Sequence, residues 1–222
     1  MGCRQSKRWF GFGQNTLEAV KGVCALETRL RCGWANSSVV CTHYHDTEWG
    51  VPTYDPRSLF ERLTLESMQA GLSWLTVLNK RDRMRRAFLG FDPMSLAKVV
   101  DIEQSGWLED SGLIRHRGKL NAMVTNARLF NEMTEPAHFF WSFVQNTPLQ
   151  NSWRKGSEVP GTTDQSIKMS NALKKMGFAF VGPTICYAFM QSAGMVNDHL
   201  VSCFRHTEIS FASNRGSKGR EG

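Results

Sequence analysis

The spacing of apolar residues predicts helices along most of the chain. A helix that begins at Pro56, after the N-cap residue Asp55, carries apolar side chains at helical intervals as far as Gln69. Ser73 is placed to cap the next helix, and the same spacing predicts further helices over 94–100, 103–111, 117–133 and 136–146. Alternating strand patterns with hairpin turns are hard to find. The sequence therefore predicts an all-α fold.

Two further predicted helices flank a turn rich in glycine. One helix starts at Asp164 and the other at Pro183. Glycines permit the positive φ angles of such a turn, and free N–H groups at the start of the second helix can hold a phosphate. The turn fits a helix-hairpin-helix that grips a DNA backbone, although an ordinary corner between two helices is the commoner use of this pattern. The residues predicted to contact DNA here are Lys174, Lys175, Gly177, Gly182 and Thr184.

Membrane insertion and secretion are both disfavoured by the sequence. The stretch 177–197 contains no charged residue, but its glycines, proline and polar residues predict a helix buried in a folded domain and no membrane partner. The chain opens without an apolar signal sequence and its six cysteines are scattered, which predicts free thiols in the cytoplasm. Residues 1–6 match an N-myristoylation pattern, but so short a pattern recurs by chance, so we expect no lipid.

Charge divides the chain into a nearly neutral middle and basic ends. The whole chain carries 27 Lys and Arg against 20 Asp and Glu, a net charge of +7, of which residues 32–204 supply only +1. We predict a weakly structured extension over 1–30, one folded domain over 31–204, and a basic, disordered tail over 205–222. The overall balance favours nucleic acid as partner. Contacts of the folded domain with DNA must then arise from the local placement of its basic residues.

Four cysteine and histidine residues are candidate ligands for one metal ion. His45 follows Cys32 by thirteen residues, and His199 and Cys203 are four residues apart, so that a helical turn would place the second pair on one face. Together they would make a closed Cys₂His₂ set that suits a structural Zn²⁺ and joins both ends of the folded region. The alternative, two pairs of a buried cysteine and a hydrogen-bonded histidine, carries equal weight from the spacing alone.

One carboxylate stands among apolar and aromatic residues. Glu66 lies in an apolar run, where an unpaired carboxylate would be costly, and Trp74 follows it after a short loop. Trp34, Tyr44 and Trp49 precede it. Aromatic faces with one anionic acceptor suit a flat, cationic ligand that donates hydrogen bonds, and an N-alkylated purine has these properties. From these residues alone, the favoured interpretation is that the aromatic side chains form core and that Glu66 pairs with an arginine.

Taken together, these segments resemble the DNA-3-methyladenine glycosylase I family. The matches run in order across residues 31–203, about four-fifths of the chain, and so many ordered matches outweigh the alternatives above. The matching segments are Arg31–Trp34, Tyr44–Pro52, Leu65–Glu66, Gln69–Trp74, Ile114–Lys119, Phe140–Val144, Leu173–Lys175, Phe180–Gly182 and Val196–His199.

The resemblance implies a helix-hairpin-helix DNA glycosylase that acts on N3-methyladenine in double-stranded DNA. Such an enzyme hydrolyses the N-glycosidic bond, releases the free base and leaves an abasic site. The resemblance also implies a monomer with one structural zinc ion per chain. The implied site residues are Glu66 for catalysis, Tyr44, Trp74, Trp34 and Trp49 around the base, Gly71 and Leu72 in the gap of the duplex, and Cys32, His45, His199 and Cys203 on the metal.

The sequence departs from the family pattern at two positions. Cys41 replaces an aromatic residue usually found four residues before the first zinc histidine, and Met68 replaces a glutamine. Asn197 stands where other helix-hairpin-helix glycosylases usually carry a catalytic aspartate, which fits a lesion whose cationic base leaves easily. Two other functions stay open: a zinc-clasped DNA-binding homologue with lost or altered glycosylase activity, and a zinc hydrolase that uses Glu66 as a general base.

Overall fold

The architecture is built almost entirely from α-helices. The computed structural model describes residues 29–103 and 105–217, and Leu149–Gln150 pairs there in parallel with Val196–Asn197 as a two-residue ladder. The predicted helical class is confirmed apart from this ladder. Short 3₁₀ helices lie at Gly33–Ser37, Leu89–Phe91 and Gly156–Glu158. The α-helices of the described residues are α1 (Val39–Thr47), α2 (Pro56–Gln69), α3 (Trp74–Ala87), α4 (Pro93–Leu96), α5 (Arg117–Asn131), α6 (Pro136–Ser142), α7 (Asp164–Lys175), α8 (Pro183–Ser192) and α9 (Phe204–Ser217).

Two predicted helix starts are confirmed by their capping contacts. The side chain of Asp55 accepts a hydrogen bond from the backbone N–H of Ser58 at 2.8 Å, with Pro56 in the first turn of α2. The hydroxyl of Ser73 accepts one from the backbone N–H of Thr76 at 3.1 Å, where α3 begins. Each cap satisfies an N–H group that the helix itself leaves without a partner. Local sequence is therefore enough to place these two starts.

The core is centred on α2, which packs against α5 and α8. Phe60 of α2 meets Phe130 of α5 with 5.2 Å between ring centroids, and Phe140 of α6 meets Phe189 of α8 at 5.0 Å. Both pairs are edge-to-face, an arrangement that adds to the stabilisation from apolar burial. Because α2 is enclosed in this way, a polar side chain on it is removed from bulk water.

The stretch 103–111 forms turns in its described part, and the helix predicted there is wrong. The side chains of Asp101 and Asp110 each accept a hydrogen bond of 2.8 Å from a backbone N–H two residues ahead. Gly106 adopts a φ of +72°. Aspartate turns and a left-handed glycine both compete with helix formation, and here they prevail.

Three other predicted helices are present but shorter than expected. The ends of a helix are the part that a periodic pattern of apolar residues defines least well. The helix predicted over 94–100 is the single turn Pro93–Leu96, that over 117–133 is Arg117–Asn131, and that over 136–146 is Pro136–Ser142.

The C-terminal segment was predicted to be a disordered tail, but its described part is helical. Residues 205–217 belong to α9. Ile209 is only 2% exposed, and the side-chain amide of Asn197 donates to the backbone carbonyl of His206 at 3.0 Å. Polar and apolar residues are poorly segregated along α9, which is why periodicity did not reveal it.

The outer ends of the chain lie outside the described residues. The predicted extension over 1–30 falls almost entirely on residues 1–28, which also contain the N-myristoylation pattern. The predicted tail ends with residues 218–222. What was expected of these residues stays a prediction. The uncharged stretch 177–197 folds as a turn, the buried helix α8 and one strand of the ladder. Within 29–103 and 105–217, every helix is too short or too polar to cross a membrane.

Candidate functional site

A cavity of about 720 Å³ opens beside the C-terminal end of α2. Its volume lies in the usual range for small-molecule pockets. The predicted catalytic residue Glu66 and all four residues predicted around the base line it: Trp34, Tyr44, Trp49 and Trp74. The structure thus brings to one place side chains that the sequence spreads over positions 34–74.

The local fold explains how these side chains converge. Tyr44 lies in α1, Glu66 lies near the end of α2, and Trp74 is the first residue of α3. The rings of Tyr44 and Trp74 are 5.2 Å apart and inclined at 54°, while those of Trp34 and Trp49 are 5.1 Å apart and inclined at 81°. Interlocked rings of this kind form a stiff apolar wall that suits a flat ligand.

Glu66 is a buried acid in this wall, with 5% of its surface exposed. Burial raises the pKa of its carboxyl group to about 8, while a hydrogen bond with Ser192 and the positive charge of Arg62 oppose the rise. Burial also raises the pKa of Tyr44, and the charge of Glu66 adds to that effect. The phenol therefore keeps its proton, whereas the carboxyl group can hold or release one near neutral pH.

The four predicted metal ligands converge beside the cavity. The Sγ atoms of Cys32 and Cys203 and one ring nitrogen each of His45 and His199 lie within 4.8 Å of one another, and all four residues are buried. We call them the metal-ligand cluster. Tetrahedral bonds of about 2.0 Å to nitrogen and about 2.3 Å to sulfur place ligand atoms about 3.3–3.8 Å apart. His45 Nε2 lies 3.2 Å from His199 Nδ1, and Cys203 Sγ lies 3.5 and 3.6 Å from these nitrogens. The donor set fits a tetrahedral ion.

The outer ring nitrogens of both histidines have oxygen partners. Nδ1 of His45 lies 2.7 Å from a carboxylate oxygen of Asp46, which Arg31 holds in turn at 2.9 Å. Nε2 of His199 donates to the backbone carbonyl of Trp49 at 3.1 Å, and burial lowers the pKa of His199. These contacts orient both rings so that their remaining nitrogens face the cluster, as the oxygen partners of metal-binding histidines commonly do.

The metal-ligand cluster is also part of the cavity wall. Cys32 lines the cavity directly. The ring of Trp34 packs edge-on against His45 at 5.3 Å between centroids, and the ring of Trp49 packs against His199 at 4.6 Å. Two aromatic walls of the cavity therefore rest on the imidazole rings of the cluster.

Sequence reasoning missed Asp198, a second buried acid that lines the cavity. One of its oxygens accepts hydrogen bonds from Asn151 (2.6 Å) and Trp153 (2.8 Å), and the other accepts from Tyr187 (2.6 Å) and Gln191 (2.8 Å). These donors come from α8 and from the loop that precedes α7. Because the loop donors lie 45 and 47 residues away in sequence, no local pattern reveals them.

The positions that depart from the family pattern are not among the described residues that line the cavity. Cys41 is 2% exposed and packs behind Tyr44. Met68 is buried in the main core. Asn197 is fully buried, and its amide donates to the side chain of Gln150 at 2.8 Å, so it joins the two strands of the ladder.

The predicted DNA-contacting residues lie in or beside two turns, one between α2 and α3 and the other between α7 and α8. Gly71, with a φ of +78°, and Leu72, 41% exposed, form the turn between α2 and α3. The second turn joins α7 to α8, and the hydroxyl of Ser67 in α2 donates to the backbone carbonyl of Phe180 in it at 2.9 Å. The residues predicted there are the exposed Lys174, Lys175, Gly177 and Thr184 and the half-buried Gly182.

Comparison with known proteins shows close relatives along most of the chain. Residues 34–206 match the family described as methyladenine glycosylase. The chain is 47% identical over 177 residues to DNA-3-methyladenine glycosylase 1 of Escherichia coli, which covers 78% of this chain and 95% of the relative. It is also 47% identical over 177 residues to DNA-3-methyladenine glycosylase of Haemophilus influenzae, with 78% and 96% covered.

Solved structures show the same fold. A crystal structure of a 3-methyladenine DNA glycosylase I has a TM-score of 0.77 at 45% identity and covers 79% of this chain and 98% of that one. The Staphylococcus aureus 3-methyladenine DNA glycosylase I, solved to explain its recognition of 3-methyladenine, has a TM-score of 0.73 at 33% identity, with 78% and 95% covered. These matches confirm the resemblance found in the sequence, and the chain belongs to the methyladenine glycosylase family.

Proposed function

We propose that this protein is a DNA repair glycosylase that hydrolyses the N-glycosidic bond of N3-methyladenine in alkylated double-stranded DNA. The reaction releases the free base and leaves an abasic site. The observation that carries the proposal is the cavity in which aromatic rings surround the buried carboxyl group of Glu66. A base methylated at N3 is flat, cationic and a hydrogen-bond donor, and it matches that surface. Family membership and the names of the relatives agree with this reaction.

The residues predicted to surround the base have distinct roles in this proposal. Tyr44 and Trp74 hold the base by their ring faces, and Trp34 and Trp49 close its surroundings. Glu66 accepts a hydrogen bond from the base and selects its cationic form. Because the bond from a cationic base to the sugar is already weak, its departure needs little further push. Water then supplies the hydroxyl group to the sugar carbon and loses a proton, while the base leaves neutral.

We assign the metal-ligand cluster to one structural zinc ion per chain. Support comes from four buried donors whose ligand atoms lie within 4.8 Å of one another, and from the oxygen partners of both histidines. Such an ion joins the first and last segments of the domain. Four protein donors leave no position for a substrate water, which disfavours the zinc-hydrolase alternative. The thiol ligands need a reducing compartment, which supports the cytoplasm as the location.

We propose that duplex DNA meets the protein along the two turns described above. Leu72 enters the gap that the flipped nucleotide leaves, with Gly71 permitting the turn. The turn between α7 and α8 acts as a helix-hairpin-helix that holds a backbone phosphate. All proposed site residues come from one chain within 31–204, so we expect a monomer to be active, with α9 completing the domain.

Base release from methylated DNA tests this function. DNA treated with a methylating agent is incubated with the protein, and the released bases are separated by chromatography. We expect 3-methyladenine among the products. Binding to DNA without any released purine would support the DNA-binding homologue that Cys41 and Met68 suggested. The positions of those two residues away from the cavity surface favour the active enzyme.

A further inference from the structure

A buried lysine lies beneath the turn between α2 and α3. Lys119, near the start of α5, is 5% exposed. Its Nζ donates to the backbone carbonyls of Met68 at 2.8 Å and of Ala70 at 2.5 Å. Removing an ammonium group from water is costly unless hydrogen bonds replace the lost hydration. The Lys119 ammonium group therefore donates to one short segment, the C-terminal end of α2.

These contacts complete the C-terminal end of α2. A helix leaves its last carbonyl groups without partners of its own. The backbone N–H of Leu72 donates to the carbonyl of Gln69 at 2.6 Å, and Lys119 takes the carbonyls on either side. A cation at this end also complements the helix dipole.

The turn has little packing of its own. Gly71 adopts a φ of +78°, and a Cβ added there would meet no atom within 4 Å. Leu72 is 41% exposed. The conformation of this turn therefore depends on its backbone hydrogen bonds. The Lys119 side chain of α5 is the donor to two of the carbonyl groups involved.

We propose that Lys119 is a positioning residue that holds the α2–α3 turn so that Leu72 is presented to the DNA duplex. The proposal rests on the proposed function, because it uses Leu72 as the residue that fills the gap. It assigns Lys119 no contact with the base. Loss of its hydrogen bonds is therefore expected to affect opening of a duplex and to spare a lesion in single-stranded DNA, where no gap has to be filled.

Lys119→Met tests the proposal because it keeps the apolar stem and removes the donors. Release of 3-methyladenine is measured from one oligonucleotide sequence in duplex and in single-stranded form. We expect kcat/KM on the duplex to fall about tenfold or more and kcat/KM on the single strand to change less than about threefold. An equal loss on both substrates, or no loss on the duplex, would overturn the proposal.

Arg128→Met is the matched control on the same helix. Arg128 also donates to two backbone carbonyls, those of Ala97 at 3.1 Å and Val99 at 2.6 Å. The segment that it holds carries none of the proposed DNA contacts. Its duplex and single-strand rates are expected to keep the wild-type ratio.

A double variant keeps the test decisive if Lys119→Met does not fold. Lys119→Gln retains part of the donor capacity and is combined with Leu72→Ala. If Lys119 acts through Leu72, the double variant loses no more duplex activity than Leu72→Ala alone, whereas additive losses contradict the proposal. Failure of the wild type to release any base would instead reject the proposed function. Normal wild-type release with an unchanged duplex preference in the lysine variants rejects this inference alone.

Discussion

At Glu66, the surroundings decide what a carboxyl group in an apolar run does. The residues alone favoured its pairing with an arginine, whereas the family resemblance implied a catalytic role. The structure gives that pairing to Glu61, whose carboxylate accepts from Arg81 at 2.9 Å and from Arg85 at 2.6 Å. Glu66 lines the cavity instead. Residue type and period place both acids on α2, but only the three-dimensional fold separates a paired acid from one that is available to a ligand.

Glu66→Gln is expected to lower kcat/KM for base release on the order of a hundredfold. In the wild type, kcat/KM should rise with pH toward about 8, because the free protein must lose the Glu66 proton before the carboxylate can accept from the base. The variant has no such proton, so its profile should be flat over this range. The measurement is 3-methyladenine release at a series of pH values. A wild-type profile without this rise would contradict the assignment.

The free energy of unfolding gives a second test of Glu66→Gln. The pKa of Glu66 is about 8 in the folded protein and near 4.5 in a model peptide, so the folded state retains the proton between these values and loses stability as the pH rises through them. The free energy of unfolding of Glu66→Gln should exceed that of the wild type by at least about 1 kcal/mol at pH 8, with a smaller difference at pH 4.5. The control Glu61→Gln loses ion pairs and should be less stable than the wild type.

At the scale of elements, helices whose start signal is adjacent in sequence were predictable. Asp55 and Ser73 cap α2 and α3 through contacts within three residues, and both partners of such a contact can be read from the local sequence. The turns in 103–111 and helix α9 were not predictable. In the first, side-chain turns compete with a helical pattern, and in the second, tertiary contacts such as that of Asn197 with His206 support a helix of weak amphipathicity.

Gly194→Ala is expected to destabilise the protein by about 3 kcal/mol or more, because its Cβ has no room and its φ is +73°. The added atom would lie 2.3 Å from the backbone nitrogen of Pro52 and 2.5 Å from the carbonyl carbon of Val51. Main-chain atoms cannot yield as a flexible side chain can. Thermal unfolding measures the effect, with Gly161→Ala as control, since a Cβ there meets nothing within 4 Å. Equal Tm values for the two variants would contradict the prediction, because they would show that the backbone around Gly194 moves to make room for the added Cβ.

At the scale of the whole molecule, the metal-ligand cluster shows where sequence spacing stops being informative. The pair of His199 and Cys203 is visible in the sequence, but Cys32 and His45 form no compact motif. His45 and His199 are 154 residues apart and yet have ring nitrogens 3.2 Å from each other. Only the packing of α1 against the rest of the fold decides between a metal site and separate hydrogen-bonded pairs.

Removal of the proposed zinc ion is expected to weaken both fold and activity. A strong chelator should lower Tm by at least about 10 °C and abolish base release, because Trp34 and Trp49 rest on the ligand imidazoles. Metal analysis should find one zinc per chain. His45→Ala should reproduce the loss, whereas His43→Ala, an exposed residue in the same helix, should not. A chelated protein with unchanged Tm would exclude a structural metal.

The wide separation of the two ligand pairs also leads us to expect a particular order of assembly during synthesis. Cys32 and His45 leave the ribosome early, but their partners follow only after some 150 further residues. Bringing the pairs together closes a loop at an entropic cost of about 5 kcal/mol, and we expect packing of the intervening helices to precede this step because it shortens the loop that remains to be closed. The complete cluster is therefore a late event, and a nascent chain that stops before His199 holds only half of the ligands and cannot finish the wall of its cavity.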